Sequence, residues 1–186
     1  MKEALNLAGR LFLITAVAAL VLGFANSKTA PVIAEMQAQK LAESLKVVYP
    51  EGEDFEPLDP AESDKLIEEG SFVKEIYSVN SGEGHVYNVM AKGGYGGEIN
   101  FIFGIKDGEI VGFSILSHSE TPGFGAQAAE PEFAEGVIGV DATGDVGASE
   151  SPAENEIHAI SGSTITTNAI TAGLDQGAKI DQKLGE

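Results

Sequence analysis

The 186-residue sequence predicts an α+β fold, with an N-terminal transmembrane helix followed by a domain of mainly antiparallel sheet and flanking helices. Three observations carry this expectation. Residues 11–25 are apolar apart from Thr15. Four β-rich segments follow between residues 72 and 116, divided by glycine clusters. The chain then closes on residues 164–184, which read as one helix.

Each element can be justified in order. The apolar run is shorter than the ~20 residues a spanning helix wants, so it draws on its flanks. Lys2 and Arg10 precede it and Lys28 follows it, a bias that keeps the N-terminus in the cytoplasm and sends the rest outward. By pattern alone a cleaved signal peptide fits equally, with small residues at Gly23 and Ala25. Ile33, Met36, Leu41, Leu45 and Val48 recur at helical spacing, and Pro50 ends that run. Residues 51–60, rich in Glu, Asp and Pro, read as a solvated loop. Residues 60–69 read as a short helix closed by Gly70. The strands are expected at 72–79, 84–91, 98–105 and 109–116. Asp107-Gly108 gives a tight turn between the last two, and the set forms a meander with one buried face. A short helix is expected over 127–137, an acidic small-residue loop over 141–155, and a last strand over 157–160. The domain division is 1–28 anchor, 29–70 helical connector and 71–186 globular domain.

Composition narrows the chemistry. A 43% hydrophobic content supports a true core. The absence of cysteine removes disulfides, thiolate-held iron–sulfur clusters and c-type haem. Beyond residue 30 there are 8 basic and 28 acidic residues, a sum of −20, which opposes nucleic acid and anionic headgroups. Arg10 is the only arginine. Phosphate, if bound by the domain, must be held by backbone amides, hydroxyls or lysine. His85, His118 and His158 lack metal-ligand spacing, so no metal site is expected.

Two segments carry chemistry. Ser161-Gly162-Ser163-Thr164-Ile165-Thr166-Thr167 places hydroxyl side chains and a glycine around the start of the terminal helix. The free amides and dipole there favour an anion. His118-Ser119-Glu120-Thr121-Pro122-Gly123-Phe124-Gly125 follows a strand, with Pro122-Gly123 demanding a turn. Taken singly, each reads as ordinary structure, an N-cap and a loop. Phe101, Phe103 and Phe113 read as core residues, and Phe124 as the aromatic best placed to meet a ligand. Gly173 and Gly177, four apart, either allow close helix packing or merely weaken the helix.

In this order and spacing the two segments, with the N-terminal apolar run and Leu45-Lys46-Val47-Val48-Tyr49-Pro50, resemble the FMN-binding domain family. Within it the chain resembles the G subunit of the Rnf ion-translocating electron transport complex, and it is similar to the C subunit of the sodium-pumping NADH:quinone reductase. The resemblance favours the membrane anchor over the cleaved signal. It implies FMN joined by a phosphoester to Thr164, installed by a separate flavin transferase. It also implies cofactor contacts from Ser161, Gly162, Ser163, Ile165, Thr166, Glu120, Thr121, Gly123 and Phe124. No catalytic residue is implied. The family pattern Asp-x-x-Ser/Thr-Gly-Ala-Thr is met with two departures, His158 for the aspartate and Ser163 for the alanine. The implied function is electron transfer in a membrane-bound ferredoxin:NAD oxidoreductase, with other membrane and peripheral subunits as partners. The alternatives are the C-type subunit of the quinone reductase, another extracytoplasmic flavin carrier, and a secreted acidic binding module without cofactor.

Overall fold

A computed structural model of the chain describes residues 2–68 and 70–185. It divides into two compact units, Met1–Lys40 and Leu41–Glu186. Helix α1 (Lys2–Val48) supplies the described residues of the first and the first residues of the second.

In the first unit Leu11, Phe12, Leu20, Leu22 and Phe24 are each 65–73% exposed, a surface that water does not tolerate at this density. Among the described residues this is the one helix long and apolar enough to cross a membrane. Its hydroxyls bond back to the helix. Thr15 donates to Leu11 O and Phe12 O (both 3.0 Å), Ser27 to Phe24 O (2.8 Å) and Thr29 to Ala25 O (3.1 Å). The hydroxyl donors of Thr15, Ser27 and Thr29 are therefore met within the helix itself. Pro31 lies inside α1, so the 33–48 helix is continuous with the apolar segment.

The second unit is built on a five-stranded sheet of order β1-β2-β3-β4-β5, every pair antiparallel. Its strands are β1 (Phe55–Pro57), β2 (Val73–Val79), β3 (Gly84–Gly94), β4 (Gly97–Lys106) and β5 (Glu109–Ser117). Asp107 (φ 52°) and Gly108 (φ 81°) make the primed turn that hairpin twist prefers. The sheet corrects the expectation of one buried face. On one side Tyr87, Val89, Phe101 and Phe103 pack under helix α4 (Thr164–Leu184). On the other, Leu45, Val48 and Tyr49 from the end of α1 cover Val79, Val86, Ile102 and Leu116.

Other corrections are local. Residues 55–57, expected in a loop, pair with β2 as an edge strand. Helix α2 (Pro60–Leu66) is capped by Asp59, whose carboxylate accepts from Ala61 N at 2.8 Å. It stops before Gly70, because Ile67 turns extended and packs against the core; Glu69, the expected last residue, lies outside the described residues. The single helix expected over 127–137 is two pieces, a 3₁₀ helix (Gly125–Ala129) and α3 (Pro131–Val137). Pro131 forces Glu130 out of helical geometry (ψ 147°). Within residues 141–160, β6 (Gly147–Ser149) and β7 (Glu156–His158) form a separate parallel pair rather than a loop and one strand. The terminal helix has its expected bounds. Gly173 and Gly177 serve packing: a Cβ on Gly173 would stand 2.7 Å from Val89 Cγ1 and 2.8 Å from Phe101 Cζ, and one on Gly177 would overlap the Phe103 ring.

Candidate functional site

The two chemistry-bearing segments, some forty residues apart, meet at the N-terminus of α4. Their junction is Glu120, which is only 6% exposed. One carboxylate oxygen accepts from the Thr166 hydroxyl (2.5 Å) and the other from the backbone N–H of Gly96 (2.8 Å). The backbone N–H of Glu120 donates to Nδ1 of His118 (3.1 Å), which fixes the loop at its root. Through these bonds Glu120 ties β5's exit loop, the β3–β4 hairpin and α4 into one frame. Gly125 is required beside it, since a Cβ there would overlap Glu120 Oε2 and Thr166 Oγ1.

The helix side sorts its hydroxyls by burial. Thr167 accepts from Ile160 N (3.1 Å) and donates to Ser163 O (3.0 Å), a structural role. Thr166 is committed to Glu120. Ser163 is the N-cap residue but makes no side-chain cap bond, and its buried hydroxyl has no partner among the described residues. A buried hydroxyl without a partner costs about 1–3 kcal/mol, which a ligand acceptor would relieve. Thr164 is exposed at the helix start.

Between the segments lies a cavity of ≈ 470 Å³. Tyr95, Glu120, Thr121, Phe124 and Gly125 line one part and residues 162–166 the other. Of the residues expected from the sequence, Glu120, Thr121, Phe124, Gly162, Ser163, Thr164, Ile165 and Thr166 converge here. Ser161 and Gly123 stand outside the lining. Gly123 holds the turn at φ 78°, and its carbonyl accepts from the Gln127 side chain (2.8 Å). Gly125 was read as part of the loop motif without a role of its own, and Tyr95 was missed. Tyr95 lies on a hairpin that neither motif includes. His158 is exposed at the end of β7, and the neighbouring Glu156 carboxylate accepts from Ala153 N (2.9 Å). His85 bonds Asp181 (2.9 Å) on the far half of α4. Among the described residues no cluster of His, Asp or Glu is arranged to hold a metal.

The lining suits a phosphorylated planar group. Its volume falls among small-molecule sites, and the uncapped helix start with its hydroxyls offers donors to phosphate. The exposed faces of Phe124 and Ile165, 56% and 52% accessible, offer apolar area for a ring.

Comparison with known proteins gives the same chemistry. Residues 94–179 match the FMN-binding domain family. Over 95% of its length the chain is 34% identical to the G subunit of the Na(+)-translocating ferredoxin:NAD(+) oxidoreductase complex of Acetobacterium woodii, covering 90% of that protein. It is 31% identical to the G subunit of the ion-translocating oxidoreductase complex of Methanosarcina acetivorans, over 93% of this chain and 92% of that one. Among solved structures, NqrC of Shewanella oneidensis aligns with a TM-score of 0.45 and 20% identity, over 57% of this chain and 56% of that one. The chain belongs to the G-subunit family of the ion-translocating oxidoreductase (Rnf) complexes and contains an FMN-binding domain.

Proposed function

Proceeding from that membership, we propose that this chain is the electron-transfer subunit of a membrane-bound ion-translocating ferredoxin:NAD oxidoreductase, carrying FMN as a phosphoester on Thr164. The observation that supports the tether is the sorting of hydroxyls at the head of α4. Ser163, Thr166 and Thr167 are 7%, 1% and 2% exposed, whereas Thr164 is open to solvent on the cavity wall. An attachment made by a separate flavin transferase needs a hydroxyl that a second protein can reach. In that step Thr164 Oγ bonds to the riboflavin-side phosphorus of a flavin dinucleotide, the phosphoanhydride P–O bond breaks, the nucleoside monophosphate departs, and the hydroxyl proton passes to a base of the transferase.

FMN supplies one- or two-electron transfer when bound. The protein's part is placement. The first turn of α4 faces the phosphate with amides and hydroxyls, and a covalent bond removes dissociation from a domain that has no arginine to grip with. Glu120 fixes the two cavity walls against each other. The N-terminal helix anchors the chain, with Lys2 and Arg10 holding its start in the cytoplasm and the acidic domain outside. Placed there, the domain is separated from cytoplasmic nucleotides and relays electrons between other subunits of the complex.

The test is Thr164→Val, produced beside a flavin transferase. The wild-type band should fluoresce on a denaturing gel and the variant band should be dark, with the urea midpoint unchanged because the site is exposed. A variant as bright as wild type would overturn the attachment. For sidedness, protease added to intact protoplasts should remove a C-terminal tag; full protection until lysis contradicts the outward placement.

A further inference from the structure

We propose that Tyr95 is a flavin-contact residue, its ring lying on the isoalloxazine of an FMN carried at Thr164 and closing an apolar clamp with Phe124 and Ile165. The inference rests on the FMN reading above and adds a third segment to the site.

Five large hydrophobic residues of the second unit are exposed among those described, namely Val47, Tyr95, Phe124, Ile138 and Ile165. Three of these line the same cavity. Scattered apolar exposure is ordinary, but convergence of this kind on one concave site marks a surface that something apolar covers. Tyr95 is the most exposed of the five, at 74%. The occupant must be flat and partly apolar to meet two aromatic rings and an isoleucine, yet bear an anion to suit the helix start. The flavin of FMN has both features.

The hairpin that carries Tyr95 is aimed rather than loose. Gly94 pairs with Gly97, leaving Tyr95-Gly96 as a two-residue connection. The Gly96 amide is held by the buried Glu120 carboxylate, which also holds Thr166 two residues from the acceptor. A Cβ on Gly96 would overlap the Ser119 carbonyl, and one on Gly94 would sit 2.7 Å from Glu120 Oε1. The backbone therefore approaches the motif loop as closely as glycine allows, and the single side chain it presents belongs to Tyr95. This frame fixes the distance between the hairpin tip and the attachment hydroxyl.

The experiment compares wild type, Tyr95→Leu and Tyr95→Phe in the full-length, flavin-loaded protein. The covalent flavin is read from denatured fluorescence, and the contact from native flavin fluorescence and visible circular dichroism. A phenol against a flavin quenches its emission, whereas benzene and leucine side chains do not. The native signals of each protein are normalised to its own covalent flavin, so that a change in loading does not enter the comparison. Both variants should emit more than wild type when folded, and Tyr95→Phe should keep the dichroism that Tyr95→Leu loses. The loss of stacking in Tyr95→Leu should shift the docked-to-undocked ring ratio by about fivefold. Equal native fluorescence in wild type and Tyr95→Leu at equal loading overturns the contact. The two readings fail separately. Covalent flavin persisting in Thr164→Val, with quenching that still depends on Tyr95, removes the attachment residue and keeps the clamp.

Discussion

The two halves of helix α4 are one continuous element with opposite demands on it. From Ala169 onward its inner face is flush with the sheet. Gly173 and Gly177 lie against Val89, Phe101, Phe103 and Tyr87, while Asp181 takes the Tyr87 hydroxyl at 2.7 Å and His85 at 2.9 Å. Every polar group named there has a partner, and the two glycines let the sheet's rings approach the helix closely. At the other end Ser163 is buried without a partner among the described residues, Thr164 and Ile165 face outward, and a cavity opens. The difference teaches that rigidity and reactivity are spaced along the helix rather than mixed. The packed half fixes where the helix start stands, and the start is left unfinished for a ligand to complete.

The largest effect that would sharpen this contrast is Gly177→Leu. The Phe103 ring it would strike is fully buried and stacked on Tyr87 at 5.3 Å between centroids, so it cannot swing aside. A loss of about 3 kcal/mol is expected in urea titration, from overpacking. Gly177→Ala should cost less, because its helix propensity gain of about 1 kcal/mol offsets part of the clash. Near-neutral behaviour of both variants would break the picture of a rigid half.

Tyr87→Phe comes next. It removes a hydrogen bond to a carboxylate and should cost about 2 kcal/mol at neutral pH. It also carries a pH signature. Burial, then the charge and hydrogen bond of Asp181, push the Tyr87 phenol far above its ordinary 10.0. A group raised in the folded state contributes stability that is whole below its unfolded value and lost as pH climbs past it. Wild-type stability should therefore fall above pH ~10, and the variant should lose that part of the slope, at most about 1.4 kcal/mol per pH unit. Burial also raises Tyr77 and Tyr49, so some slope remains in the variant. Identical alkaline slopes would contradict the assignment.

The smallest effect belongs to the open half. Ser163→Ala deletes a buried hydroxyl that lacks a partner among the described residues. In protein made without flavin it should raise stability by about 1 kcal/mol, and in flavin-bearing protein that gain should vanish. Equal gains in both forms would mean that the hydroxyl never meets the cofactor.

The open head of α4 was more legible in the sequence than its packed half: residues 162–166 were all expected at the site, whereas Gly173 and Gly177 stood undecided between close packing and a weakened helix. Glycine clusters and Asp107-Gly108 marked β2 to β5, because turns with positive φ leave a compositional trace. The bounds of α4 followed from the hydroxyl cluster at one end and apolar spacing along its length. What stayed hidden was short or spatial. Phe55–Pro57 and Gly147–Ser149 hold three residues each, too few to show a period, whereas the strand expected over 157–160 is present as Glu156–His158. The second buried face depends on Leu45, Val48 and Tyr49 folding back onto the sheet, which alternation along a strand cannot reveal. Within the site, Glu120 and Thr166 were both named, but their bond was not. Tyr95 went unseen because a tyrosine between glycines reads as a hairpin tip until Gly96 is found bonded to Glu120.

The central claim is that the exposed hydroxyl at the head of α4 carries the flavin. The most direct measurement is tandem mass spectrometry of the fluorescent proteolytic peptide, taken from full-length protein purified from membranes of a host with a flavin transferase. The expected result is a single flavin phosphate on Thr164. A flavin located on Ser161, Ser163 or Thr166, or a chain recovered without covalent flavin, would contradict it.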